Sequence, residues 1–168
     1  YNLQKSTAFN TVNMALVNMY LKFEDYPTAI NYLLAQNGSH FNNIYNKIQC
    51  LNNLALCYNW TNEPDKALPY LYTLLALTEK FNFNDWNAIS HGNIGRIFLD
   101  KKMYREAIPH LYKDFTVSCS EFNWDCGLLS GVRLMKVYNE TGQLEKAGEV
   151  FAKRSQTASN GNPKTKIE

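Results

Sequence analysis

Apolar residues Leu51, Leu54, Ala55 and Tyr58 fall at i, i+3, i+4 and i+7, the stripe of an amphipathic helix. A polar run, Asn59 to Glu63, interrupts it, and Ala67, Leu68, Leu71, Leu74 and Leu75 then take up the same spacing. The pattern predicts two helices closing into an antiparallel hairpin across a tight turn.

The hairpin recurs. An aromatic residue followed nine positions later by alanine occurs as Tyr20 and Ala29, Tyr58 and Ala67, Phe98 and Ala107, and Tyr138 and Ala147; the alanines are 38, 40 and 40 residues apart. Three residues before each aromatic stand Val17, Ala55, Gly95 and Met135, small or flexible side chains. Three before each alanine stand Tyr26, Pro64, Tyr104 and Leu144, and four after it Leu33, Leu71, Leu111 and Phe151. Self-similarity at such a period is the mark of stacked supersecondary units. Alanine on the second helix, facing a small residue on the first, predicts a close crossing that a larger side chain at Ala67 or Ala107 would overpack by roughly 1–3 kcal/mol.

Punctuation follows the same register. Phe41-Asn42, Phe81-Asn82 and Phe122-Asn123 close the second helices, and Asp85 and Asp125 stand where an N-cap is expected. Gly38 and Gly142 are placed at helix ends, and Pro69 and Pro109 share a position read as early in the second helix. The chain is therefore expected to be all-α, a right-handed α–α superhelix of about four helix-turn-helix repeats. Their expected bounds are about 7–41, 42–83, 84–123 and 124–158 within a repeat domain over 1–158. Asn160-Gly161-Asn162-Pro163 ends the eighth helix, leaving 159–168 as a linker or the start of a further segment.

Composition narrows the function classes. A 45% hydrophobic and 14% aromatic chain of 168 residues can bury a core. With 17 basic and 15 acidic residues it lacks the excess expected of a nucleic-acid binder. No apolar run approaches the roughly 20 residues of a membrane span. Beginning at Tyr1, the sequence reads as a piece of a longer protein. Cys50, Cys57, Cys119 and Cys126 have neither zinc nor redox spacing; they read as packing residues, and their thiols lean towards a reducing compartment, with a periplasmic setting kept open. His40, His91 and His110 have no metal-ligand neighbours, His91 standing at the packing position of Leu51. Gly92 and Gly95 lie inside a helix and form no phosphate loop. Neither a cofactor nor catalysis is expected.

These residues resemble the tetratricopeptide repeat, with an aromatic late in the first helix and alanine early in the second. The likeness covers roughly Thr7 to Ala158. The long period, the segment Leu51-Asn52-Asn53-Leu54-Ala55-Leu56-Cys57-Tyr58 and the run Lys66-Ala67-Leu68-Pro69 are similar to the kinesin light-chain type and to bacterial signalling or sensor repeats. The resemblance implies a protein- or peptide-binding scaffold, the sensor or adaptor part of a larger regulatory protein.

Stacked helix pairs curve, with first helices on the concave side. By register, Asn18, Asn52, Asn53, Asn93, Arg96, Arg133 and Lys136 are the groove candidates, and Asn53, Asn93 and Arg133 share one repeat position. An asparagine side chain both donates and accepts, so it can grip an extended peptide backbone. The resemblance implies that asparagine and arginine here contact the ligand main chain or its terminal carboxylate. Asn52 and Leu129 stand where the carboxylate-clamp subtype has lysines. Arg96, Arg133 and Lys136 make the later copies basic, which predicts a partner with an acidic segment. The alternatives are self-association into a homodimer and a small-molecule sensor built on Trp60, Trp86 and Trp124.

Overall fold

A computed structural model describes residues 2–38, 41, 43–120 and 124–160, with side chains for 12–38, 41, 43–119 and 128–156. The described residues form eight α-helices: α1 (Asn2–Lys22), α2 (Tyr26–Asn37), α3 (Ile44–Trp60), α4 (Pro64–Lys80), α5 (Asn84–Asp100), α6 (Tyr104–Ser120), α7 (Trp124–Glu140) and α8 (Leu144–Asn160). From α3 onwards every helix has 17 residues. The repeated stripe therefore buries a similar face each time.

Each pair turns on the same backbone. Glu24, Asn62, Lys102 and Gly142 have φ of 59°, 61°, 57° and 71°, the left-handed region that reverses a helix end. The next amide reaches back to the repeat aromatic's carbonyl: Asp25 N–H to Tyr20 O at 2.9 Å, Glu63 to Tyr58 at 2.7 Å, Met103 to Phe98 at 2.8 Å and Gln143 to Tyr138 at 2.7 Å. Each is the long bond of a Schellman motif. The aromatic that ends the first helix then packs on the second. Tyr20 stacks on Tyr32 (centroids 5.4 Å apart), Tyr58 on Tyr70 (5.8 Å), and Phe98 meets His110 at 5.9 Å.

The chain forms two compact units, Tyr1–Phe81 and Asn82–Glu168. In the first, α1 packs on α2, α2 on α3 and α3 on α4, burying Ala29, Leu33, Ile48, Leu54, Ala67, Leu71 and Leu74 completely. A fully buried leucine or isoleucine contributes about 1.5–3 kcal/mol. In the second, α5 packs on α6, α6 on α7 and α7 on α8, and α5 also touches α7. Its core is Leu99, Ala107, Leu111, Phe115, Leu134, Val137, Tyr138, Ala147 and Val150. Ala67 and Ala107 are wholly buried at the crossings. At Gly95 a Cβ would lie 2.7 Å from Leu111 Cγ, so the α5–α6 crossing is tighter than alanine allows.

Several local expectations are corrected. Pro69 and Pro109 are the sixth residues of α4 and α6 and stand inside those helices. Each therefore deletes an intrahelical hydrogen bond, so the lost amide matters more than expected of a position early in the helix. Asp85 is not the N-cap of α5: Phe83 takes that position without a side-chain bond, and Asp85 lies in the first turn. There its charge suits the positive end of the helix dipole. Gly38 caps α2 with φ −76° and Gly142 alone of the pair is left-handed. Phe151 does not join Leu33, Leu71 and Leu111 inside: they are fully buried and it is 58% exposed. Phe81 caps α4 and Asn82 turns left-handed at φ 56°, which explains the Phe-Asn pairing there. Asn42, His40, Phe122-Asn123, the side chains of Trp124, Asp125 and Cys126, and the 161–168 segment lie outside the described residues.

Candidate functional site

A 40-residue period places Ile89 over Leu129, Asn93 over Arg133 and Arg96 over Lys136 on the first helices of the second unit. Within each helix these positions are spaced i, i+4 and i+7, one face. Where α5 meets α7 the faces enclose a pocket of about 170 Å³ lined by Ile89, Gly92, Asn93, Arg96, Asp114, Leu129 and Arg133. Three predicted residues, Asn93, Arg96 and Arg133, thus converge on one cleft.

Arg96 is half-buried, and its Nε is shut off from solvent without a hydrogen-bond partner. Burial lowers its pKa, repulsion from Arg133 lowers it further, and Asp100 pulls the other way. A guanidinium so placed remains charged and has donor capacity to spare.

Asp114 supplies the pocket floor. It comes from α6, is 2% exposed, and accepts hydrogen bonds from Ser118 Oγ at 2.9 Å and Ser130 Oγ at 2.5 Å. Burial pushes its carboxyl above the ordinary range, against the pull of Ser130, Ser118 and Arg133. The carboxylate fits because residue 92 is glycine: a Cβ there would collide with Asp114 Oδ2. Gly92, which the sequence could assign only to a helix interior, is thus part of the site.

The other predicted residues lie apart. Lys136 is exposed and lines a separate cleft of about 290 Å³ with Leu99, Asp100, Lys102, Tyr104 and Glu140. In the first unit Asn18 is exposed, Asn53 half-buried and Asn52 buried at 8% exposure, so Asn52 presents little surface to a ligand. Of the tryptophans, Trp60 rests its ring 5.0 Å from Tyr26 and Trp86 is half-buried. Burial pushes the thiols of Cys50 and Cys57 up to about 12 and about 11, which leaves them protonated and inert as nucleophiles.

Asp114, Ser118 and Ser130 were not among the sequence candidates. The signal was present: Asp114 occupies the repeat position of Leu74 on α4, a site that is fully buried there. A charge at a core position of the register marks a side chain with another task.

Among the described residues no group of three or more histidine, cysteine, aspartate or glutamate side chains is placed to hold a metal ion. No described helix is long and apolar enough to cross a membrane.

Residues 47–113 match the family model of the tetratricopeptide repeat. No curated protein sequence matches the chain. Among solved structures, BtubC (BKLC) from P. vanneervenii is similar over 90% of this chain, with a TM-score of 0.76 and 15% identity; the chain spans 65% of that protein. A single-substitution variant of a candidate kinesin light chain from Podosopora anserina, with nearly identical tetratricopeptide-like repeats, gives a TM-score of 0.72 at 16% identity. That match covers 90% of this chain and 76% of that one. A second structure of such a Podosopora anserina protein gives 0.53 at 12% identity, covering 91% and 96%. Identities this low carry the fold alone. Residues 47–113 are similar to the tetratricopeptide repeat, and the fold of the chain is an all-α repeat of helical hairpins like that of the tetratricopeptide-like structures.

Proposed function

We propose that the second unit holds an extended peptide segment of a partner protein on the α5–α7 face. Proteins built from tetratricopeptide repeats are in general non-catalytic interaction scaffolds, and the chain carries such repeats over 47–113. The observation that supports the finer reading is the convergence of Asn93, Arg96 and Arg133 on one cleft. Asn93 offers a donor and an acceptor to a peptide backbone. Arg96 and Arg133 offer charge-assisted bonds to an acidic side chain or a terminal carboxylate. A volume of about 170 Å³ takes one side chain; drug-sized ligands occupy about 300–1,000 Å³, which weighs against a small-molecule sensor at this position. On this reading the chain is the sensor or adaptor part of a larger regulatory protein.

The test is a peptide array of nine-residue segments with paired acidic and neutralised versions. Acidic members should be retained by the wild type and lost, by tenfold or more in affinity, in Arg133→Glu. Lys136→Glu should cost less than threefold because Lys136 lines a different cleft. Equal retention of acidic and neutralised peptides would sink the reading.

A second reading, self-association, is supported by α8, which leaves Leu144 69% and Phe151 58% exposed. A mass that rises with concentration, and no longer rises in Phe151→Glu, would favour it.

A further inference from the structure

The α5–α7 pocket contains a group that works against its own ligand. Asp114 is an acid on the floor of a cleft whose cationic walls would receive an acid, and it cannot turn away. Ser118 and Ser130 both donate to it, and Gly92 of α5 is in contact above it. The charged groups around it are few. Arg96 faces the cleft from α5 and Arg133 from α7. On its own helix Lys113 is exposed, and His110, one turn earlier, is engaged with His91 of α5, the residue before Gly92. From α8, Lys153 lies over the ring of Phe115 and Arg154 borders Gly131.

In the free protein the Asp114 carboxylate partly neutralises Arg133. An anion that settles on Arg96 and Arg133 brings a second negative charge into the same small, partly dry volume. Like charges that share a site cannot both stay ionised at low cost.

We infer that an anion entering the α5–α7 pocket brings one proton with it, which comes to rest on the Asp114 carboxylate. The proton is drawn from solvent; no bond other than the new O–H is made, and the pocket gains no net charge from the pair. Ser130 accommodates the change because a hydroxyl donates or accepts as needed, so the neutral acid can donate to the oxygen that formerly donated to it. Burial already raises this carboxyl above its ordinary range, which favours the protonated form in the same direction. The inference rests on the reading of the α5–α7 face as a ligand groove. It makes binding proton-linked: affinity for an anion rises as pH falls, by at most tenfold per pH unit.

The experiment uses N-acetylglycine, the smallest piece of peptide bearing a terminal carboxylate. Amide and side-chain NMR signals of Asn93 and Arg133 report binding at pH 7.5 and pH 5.5, in the wild type and in Asp114→Asn. The wild-type Kd should fall roughly three- to tenfold on acidification, and that of Asp114→Asn should move less than twofold. A second measurement needs no variant: the carboxyl carbon of Asp114 is titrated with and without saturating N-acetylglycine, and its midpoint should move to higher pH with the ligand. If the ligand shifts Asn93 and Arg133 but the two proteins share one pH profile and the midpoint stays put, proton linkage is overturned and the groove stands. If neither Asn93 nor Arg133 responds at any pH, the groove reading falls and the linkage with it.

Discussion

The Nδ1 atoms of His91 and His110 lie 2.8 Å apart across the α5–α6 hairpin, with ring centroids 4.9 Å apart. At that distance one ring donates its N–H and the other must be unprotonated to accept. His91 is pushed down to about 4 by burial, by His110 and by Lys113, and His110 is lowered by burial. The unfolded chain therefore takes up protons near the ordinary histidine value of 6.5, before the folded one does. Stability present above pH 6.5 is lost as pH falls towards 4. The rings are only half-buried, so the expected loss is about 1–2 kcal/mol after solvent screening. Urea unfolding at pH 7.5 and 4.5 should show it, and His91→Leu with His110→Tyr, copying Leu51 and Tyr70, should flatten it. Asp114 has the opposite sign: its raised pKa favours the fold as pH falls, so it cannot be the source of an acid loss.

Lys102 occupies the left-handed residue of the α5–α6 turn at φ 57°, where the α7–α8 turn has Gly142. A non-glycine residue there is strained by roughly 1–2 kcal/mol. Lys102→Gly should therefore raise the stability of the second unit by about 0.5–1 kcal/mol, part of the relief being offset by the freer unfolded chain. A shift of the denaturation midpoint at constant slope is the readout.

Gly95→Ala tests the crossing beneath it. Helix propensity alone favours alanine by about 1 kcal/mol. The added Cβ would sit 2.7 Å from Leu111 Cγ and 3.0 Å from Leu111 N, and the backbone atom cannot give way cheaply. Overpacking should win, for a net loss of about 1–2 kcal/mol. A stabilised variant would mean that α5 and α6 separate readily.

Phe115 and Phe151 give a paired test of burial. Phe115 is 1% exposed and Phe151 58%. Truncating the first to alanine should cost about 3–5 kcal/mol, and truncating the second less than about 0.5 kcal/mol. Thermal unfolding of the two variants side by side checks this. A comparable loss for Phe151→Ala would show that its face is covered in solution.

The hairpin register was legible because it is written in side chains that cannot be moved without opening a core: the aromatics at 20, 58, 98 and 138 and the alanines nine residues on. The same register puts Asn93 and Arg133, 40 apart on successive first helices, at one cleft, with Arg96 one turn along α5 beside them. Lys136 lines a separate cleft, because register gives a residue's face and not its neighbour. Arg96 has α7 beside it, whereas Lys136 stands on the last first helix described and lines a cleft with Asp100 and Glu140. Phe151 shares the register of Leu33, Leu71 and Leu111 yet is exposed, its helix packing on α7 with no described helix beyond. Asp114 was legible as a charge at the register position of Leu74, and Ser118 as its i+4 neighbour. The bond from Ser130 of α7, 16 residues away, is a pairing that helical periodicity does not encode.

The turns after α5 and α7 share one backbone, with Lys102 and Gly142 both left-handed and the following amide bonded to Phe98 O or Tyr138 O. A genetic crossover joining Lys102 to Gln143 would excise 103–142 and leave the seam with the dihedral angles and hydrogen bond it had before. A duplication over the same interval would insert a copy at an equally smooth seam. Such a chain can shorten or lengthen by whole copies without inventing a loop, so the number of copies is free to vary by recombination while the joint itself stays fixed.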